Sequence, residues 1–152
     1  MVLFGFFFTA LLFAISVFDL KHYIIPDFLV LLLFGLGVAK MLLEGNFFPP
    51  LFGASLLFGF FLLVHLLFPR GMGFGDVKLA GAIGLFLGWK LGVLAALLSF
   101  FLGSIVGILL ILFRKRTLKD PLPFGPFLAL GATLSLFCGE RILEWYFRMW
   151  AL

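Results

Sequence analysis

Seven carboxylates stand in a chain of 152 residues, few enough to weigh one at a time. Glu44, Glu140 and Glu144 fall at the ends of apolar runs, where solvated interfacial charges are expected. Asp120 precedes Pro121 in a basic stretch and reads as a turn residue. Asp27 follows Pro26 and opens an apolar run, so an N-cap or first-turn role is expected. Asp76 also opens an apolar run, after Gly71, Gly73 and Gly75, and an N-cap is one reading of it. Asp19 has the weakest structural reason to be acidic. It closes an apolar run, where a negative charge opposes the helix dipole. An ionisable group at membrane level, set against that field, is a functional candidate.

Two aspartates brought together at one membrane surface could hydrolyse a peptide bond. One ionised carboxylate takes a proton from water, and the other, still protonated, donates to the carbonyl oxygen. Like charges a few ångströms apart do not both ionise easily, so such a pair shares a proton. This chemistry requires no metal, no cofactor and no thiol. The single cysteine, Cys138, lies in an apolar run, allows neither an intramolecular disulfide nor a CxxC zinc site, and reads as a small buried hydrophobe. Glycines beside Asp76 let the backbone take positive φ and leave room for an extended substrate to approach.

The elements that must position these residues are membrane spans. Hydrophobic residues make up 64% of the chain, charged residues only 12%, and mean hydropathy is +1.30. Water could not accommodate that much apolar surface, so lipid is the expected solvent. The net charge of +4 is spread through short loops rather than gathered into a stripe, which argues against nucleic acid as a partner. Apolar runs predict an all-α, polytopic bundle of about six spans in a single membrane domain: 2–18, 28–43, 49–68, 77–89, 91–113 and one starting at Phe124. Trp89 and Lys90 are taken as an interface pair that separates the fourth span from the fifth. With no Lys or Arg before Lys21, a cleaved signal peptide is not expected. Lys21, Arg70, Lys78, Arg114, Lys115, Arg116 and Lys119 fall on one side, and Lys40, Lys90, Arg141 and Arg148 on the other. The positive-inside rule then places the loops after spans one, three and five in the cytoplasm and both termini outside it. Ala80, Gly84, Gly88, Gly92 and Ala96 recur at every fourth residue, and Gly103 and Gly107 repeat the spacing. That pattern predicts a smooth face for close helix packing.

Three blocks carry a resemblance. Asp19-Leu20-Lys21-His22-Tyr23-Ile24-Ile25-Pro26-Asp27, Gly73-Phe74-Gly75-Asp76-Val77-Lys78-Leu79 and Pro123-Phe124-Gly125-Pro126-Phe127-Leu128-Ala129-Leu130-Gly131-Ala132 resemble, in order, the D-x6-PD, GxGDxKL and PFGPFLALGA blocks of type IV prepilin peptidases. The resemblance implies a membrane aspartic endopeptidase of the inner membrane. Such enzymes cut the basic leader of prepilins and pseudopilins, or of similar type III signal peptides, just after a glycine on the cytoplasmic side. It implies Asp19 and Asp76 as the catalytic pair, with Gly73, Gly75 and Lys78 in the supporting loop. It assigns no catalytic role to Asp27 and gives Asp27, Pro123, Gly125 and Pro126 structural or substrate-side places. Many bacterial members carry a preceding region with paired CxxC zinc motifs, linked to methylating the new N-terminus. This chain begins at its first span, so methyl transfer from S-adenosylmethionine is expected to be absent. The alternatives are a preflagellin-type or presenilin-like GxGD peptidase with other substrates, or a non-enzymatic assembly or transport subunit.

Overall fold

The computed structural model describes residues 2–69, 71–113 and 123–150. Arg70, the basic cluster from Arg114 to Lys119, and Asp120 lie outside the described residues. Five helices account for nearly all the rest: α1 (Val2–His22), α2 (Asp27–Glu44), α3 (Phe48–Leu67), α4 (Phe74–Leu112) and α5 (Gly125–Trp150).

Each helix satisfies its own backbone and turns apolar side chains outward, as a chain in lipid must. Phe6, Phe13, Leu31, Leu63, Phe101 and Phe137 are among many large exposed hydrophobics. Among the described residues, α1, α3, α4 and α5 are long and apolar enough to cross a membrane, with mean hydropathies from 1.3 to 2.6. Helix α2 is only 18 residues long and carries Asp27, Lys40 and Glu44. Hydroxyls within the apolar helices bond back to the preceding turn: Thr9 Oγ1 donates to the Gly5 carbonyl and Ser16 Oγ to that of Leu12, both at 2.8 Å.

Among the described residues there are five helices where six spans were expected, because the fourth and fifth spans are the two arms of α4, which meet at a break rather than at a loop. Helix α4 has 39 residues, which would extend about 58 Å if straight, against roughly 30 Å of hydrocarbon. It is broken instead at Gly88, where φ is 75° and ψ 174°. The break doubles the helix back on itself. A β-carbon on Gly92 would lie 3.5 Å from the Gly84 Cα, whereas eight residues of straight helix separate by about 12 Å. Only glycine takes that φ without strain, which is why the turn falls at Gly88 and not at the Trp89-Lys90 pair. The break orphans carbonyls that the helix would have used. Lys40, reaching from α2, donates from Nζ to the Phe86 carbonyl at 2.8 Å, with Glu44 3.7 Å from the same ammonium.

The small-residue pattern is where the helices approach closely. A β-carbon on Gly84 would fall 2.3 Å from the Gly53 carbonyl oxygen of α3. Helix α5 presents a second small stripe, Gly131, Ser135 and Gly139, to the later arm of α4. There Ser135 Oγ donates to the Leu91 carbonyl at 2.7 Å, and a β-carbon on Gly131 would meet Ser99 Oγ at 2.2 Å. Helix α1 packs on α2 and α5, and its Phe8 ring stacks on Phe86 of α4 with centroids 4.0 Å apart.

Candidate active site

Asp19 sits in the last turn of α1. The helix ends when Tyr23 turns into the left-handed region (φ 55°) and its N–H closes on the Asp19 carbonyl at 2.8 Å. This is the αL form of helix end, with a tyrosine where glycine is usual. Ile24, Ile25 and Pro26 then bring the chain straight into α2. The buried Ile25 side chain lies under two glycines: a β-carbon on Gly75 would be 3.0 Å from Ile25 Cβ, and one on Gly125 would be 3.3 Å from Ile25 Cδ1. One short connection thus gathers the ends of α1, α2, α4 and α5.

Asp76 occupies the third position of α4. Gly73 and Asp76 cap each other: the Asp76 N–H donates to the Gly73 carbonyl at 3.2 Å, and the Gly73 N–H donates to Asp76 Oδ2 at 3.1 Å. The expected N-cap is therefore Gly73, and Asp76 is its reciprocal partner inside the first turn. That bond engages one carboxylate oxygen. The other, Oδ1, is buried with no hydrogen-bond partner among the described residues. A buried, unpaired carboxylate oxygen is costly and calls for a reason.

Asp19 is held in a parallel way. Its Oδ2 accepts from the Gly125 N–H at the start of α5, at 3.0 Å. A β-carbon on Gly125 would stand 2.5 Å from that same oxygen, so residue 125 has to be glycine for the carboxylate to rest there. Pro126 follows in the first turn, where its missing N–H costs nothing. The half-buried Pro123 precedes Phe124, whose ring packs against Phe61 and Phe100 and ties the start of α5 to α3 and α4. Asp19 and Asp76 are 5% and 7% exposed, and both line one cleft of about 470 Å³ with Tyr23, Ile25, Gly73 and Gly75. The structure therefore brings the three sequence blocks to one end of the bundle. Among the described residues no group of three or more His, Cys, Asp or Glu could hold a metal.

Asp27 lies in the first turn of α2, as one of its expected roles required, but the N-cap is Pro26 and no side chain caps the helix. The Asp27 carboxylate instead pairs with the ammonium of Lys78, two residues beyond Asp76 on α4, and both residues line the cleft.

The sequence profile of the type IV leader peptidase family matches residues 6–108, which include Asp19, Asp27 and the glycine loop with Asp76. The chain belongs to the type IV leader peptidase family. It is 35% identical to a prepilin leader peptidase/N-methyltransferase of Pseudomonas aeruginosa over 142 residues, covering 89% of this chain and 49% of that protein. The like-named protein of Aeromonas salmonicida is 37% identical over 147 residues (91% and 50%), and that of Bacillus subtilis 31% over 144 (93% and 58%). The chain thus spans about half the length of these leader peptidases. No solved structure matches it.

Sequence reasoning missed several residues that shape this cleft. Ile25 stood inside the first block but was read only as spacing. His65, near the end of α3, holds the connection into α4 by donating from Nδ1 to the Met72 carbonyl at 2.7 Å, and its ring lies beside Phe74. A histidine close before a glycine-rich loop was the available signal. The Asp27–Lys78 pair, 51 residues apart, left none.

Proposed function

We propose that the chain is an aspartic endopeptidase that removes the basic leader of prepilin-like substrates after a glycine, at the cytoplasmic face of the inner membrane, with Asp19 and Asp76 as the catalytic pair. The observation that carries this reading is the pairing of two nearly enclosed carboxylates, from different helices, in one cleft. Each is fixed through one oxygen by a backbone N–H. The unpartnered Asp76 Oδ1 has a use under this reading, as the oxygen that exchanges a proton with the attacking water or with Asp19.

In the proposed reaction one carboxylate is ionised and its partner protonated. The ionised member takes a proton from water as the water oxygen bonds to the scissile carbonyl carbon. The protonated member gives its proton to the carbonyl oxygen, leaving a neutral tetrahedral diol. Collapse breaks the C–N bond: a hydroxyl proton returns to one carboxylate, and the other delivers its proton to the departing nitrogen. The products are a leader ending in a carboxylic acid and a new amino terminus. Backbone N–H bonds to both aspartates keep the carboxylates in place through these transfers without themselves exchanging protons.

Purified protein in liposomes, given a synthetic peptide with a basic leader, a glycine and an apolar segment, tests the proposal. Mass spectrometry should find a leader fragment ending in that glycine. An intact peptide, or cutting elsewhere, would overturn it.

A further inference from the structure

A second cavity adjoins the cleft. It is an apolar groove of about 730 Å³ between α2, α3 and α4, with Phe28, Leu31 and Phe34 on one wall and Phe58 on another. Ala54, Ser55, Gly81 and Ala82 also line it, and their small side chains leave its volume open. The groove and the aspartate cleft share two residues, Asp27 and Lys78. A chain leaving the cleft past that ion pair enters the groove directly. From Asp27 to Phe34 is seven residues of helix, so the groove descends about 10 Å into the apolar slab. Phe28 and Leu31 are each 68% exposed, so the groove is open sideways to lipid. A segment already in the bilayer could enter without crossing water.

We infer that this groove seats the apolar segment that follows the scissile bond of the substrate, the Asp27–Lys78 pair marking where the chain passes from the hydrolytic cleft into it. The inference rests on the leader-peptidase reading and deepens it, because it assigns the binding of the part of the substrate that is not cut. Its basis is the continuity of the two cavities. The ion pair at the crossing is partly solvated, with side-chain exposures of 33% and 75%, and such pairs contribute little to stability. It can therefore open for a passing chain at little cost. An acyl chain of a membrane lipid is the rival occupant. It would fill the groove equally well but gives no reason for the groove to open into the aspartate cleft.

Bulk placed in the groove separates these cases. The Ala54→Phe and Ser55→Trp variants are assayed on two peptides. One carries the leader, the glycine and roughly 20 apolar residues, enough to span. The other stops a few residues after the glycine. The groove seat predicts a KM at least tenfold higher for the long peptide with kcat unchanged, and no change in either constant for the short one. The short peptide also reports that the variants are folded and active. Equal losses on both peptides, or no loss on either, would overturn the inference while leaving the leader-peptidase reading standing. If the unmodified protein cuts neither peptide, that reading itself falls. A photo-crosslinking phenylalanine analogue at Phe34 gives a second readout: covalent capture of the long peptide supports the seat, and capture of lipid alone contradicts it.

Discussion

Replacing Gly125 by alanine adds one methyl group and should slow leader cleavage about a hundredfold. The new carbon would sit 2.5 Å from Asp19 Oδ2, 3.2 Å from its Cγ and 3.3 Å from Ile25 Cδ1. Ordinary contact begins near 3.4 Å, so the carboxylate or the start of α5 has to give way by about 0.9 Å. Ile25 blocks the neighbouring side, and the Phe124 ring pins α5 against α3 and α4, so Asp19 is the group that moves. A misplacement of about 1 Å at a reacting group costs on the order of a hundredfold, or roughly 2.7 kcal/mol of barrier. The assay is the initial rate at saturating substrate, with tryptophan fluorescence melting in detergent as a check on the fold. Gly59→Ala is the control, since a β-carbon there meets nothing within 4 Å. If Gly125→Ala keeps a kcat within threefold of the parent protein, the idea that this glycine seats a catalytic carboxylate is refuted.

Three other outcomes are expected. Gly84→Ala drives a methyl carbon against the Gly53 backbone, which cannot rotate away, and should lower stability by about 1–3 kcal/mol, read by melting in detergent. Lys40→Met leaves the Phe86 carbonyl at the Gly88 break without its donor and should cost about 1–3 kcal/mol in the same measurement; an unchanged midpoint would show that something else holds the break. His65→Ala should lower kcat by up to about tenfold, the equivalent of one hydrogen bond, and His65→Asn, whose amide can still donate to the Met72 carbonyl, should recover part of the loss.

What could be read from the chain followed from local chemistry. Apolar runs, and the prolines and glycines between them, mark helix ends, so α1, α2 and α3 fall close to their expected bounds. The three blocks could be recognised because each packs unusual residue types into a short stretch. The Trp89-Lys90 pair marked the break in α4 to within a residue, but the glycine at which the chain turns was not legible. Five small residues repeat at every fourth position, any of the glycines could take a positive φ, and no proline or polar turn singles out Gly88. Only the approach of Gly53 and the reach of Lys40, both from other helices, select it. Likewise, nothing local to Asp27 announces Lys78. From sequence, Gly125 had only a structural or substrate-side place; its closeness to Asp19 depends on how α1 meets α5, 106 residues away along the chain.

The central claim is that Asp19 and Asp76 act together, and the most direct measurement is the cleavage rate of the Asp19→Asn and Asp76→Asn variants in liposomes. Asparagine keeps the shape of each side chain, and its oxygen can still accept the Gly125 or Gly73 N–H, so both variants should insert and melt like the parent protein. Each should lose cleavage, and the double variant should be no slower than either single one, as expected of residues that work as a unit. Near-parental turnover by either single variant would contradict the account.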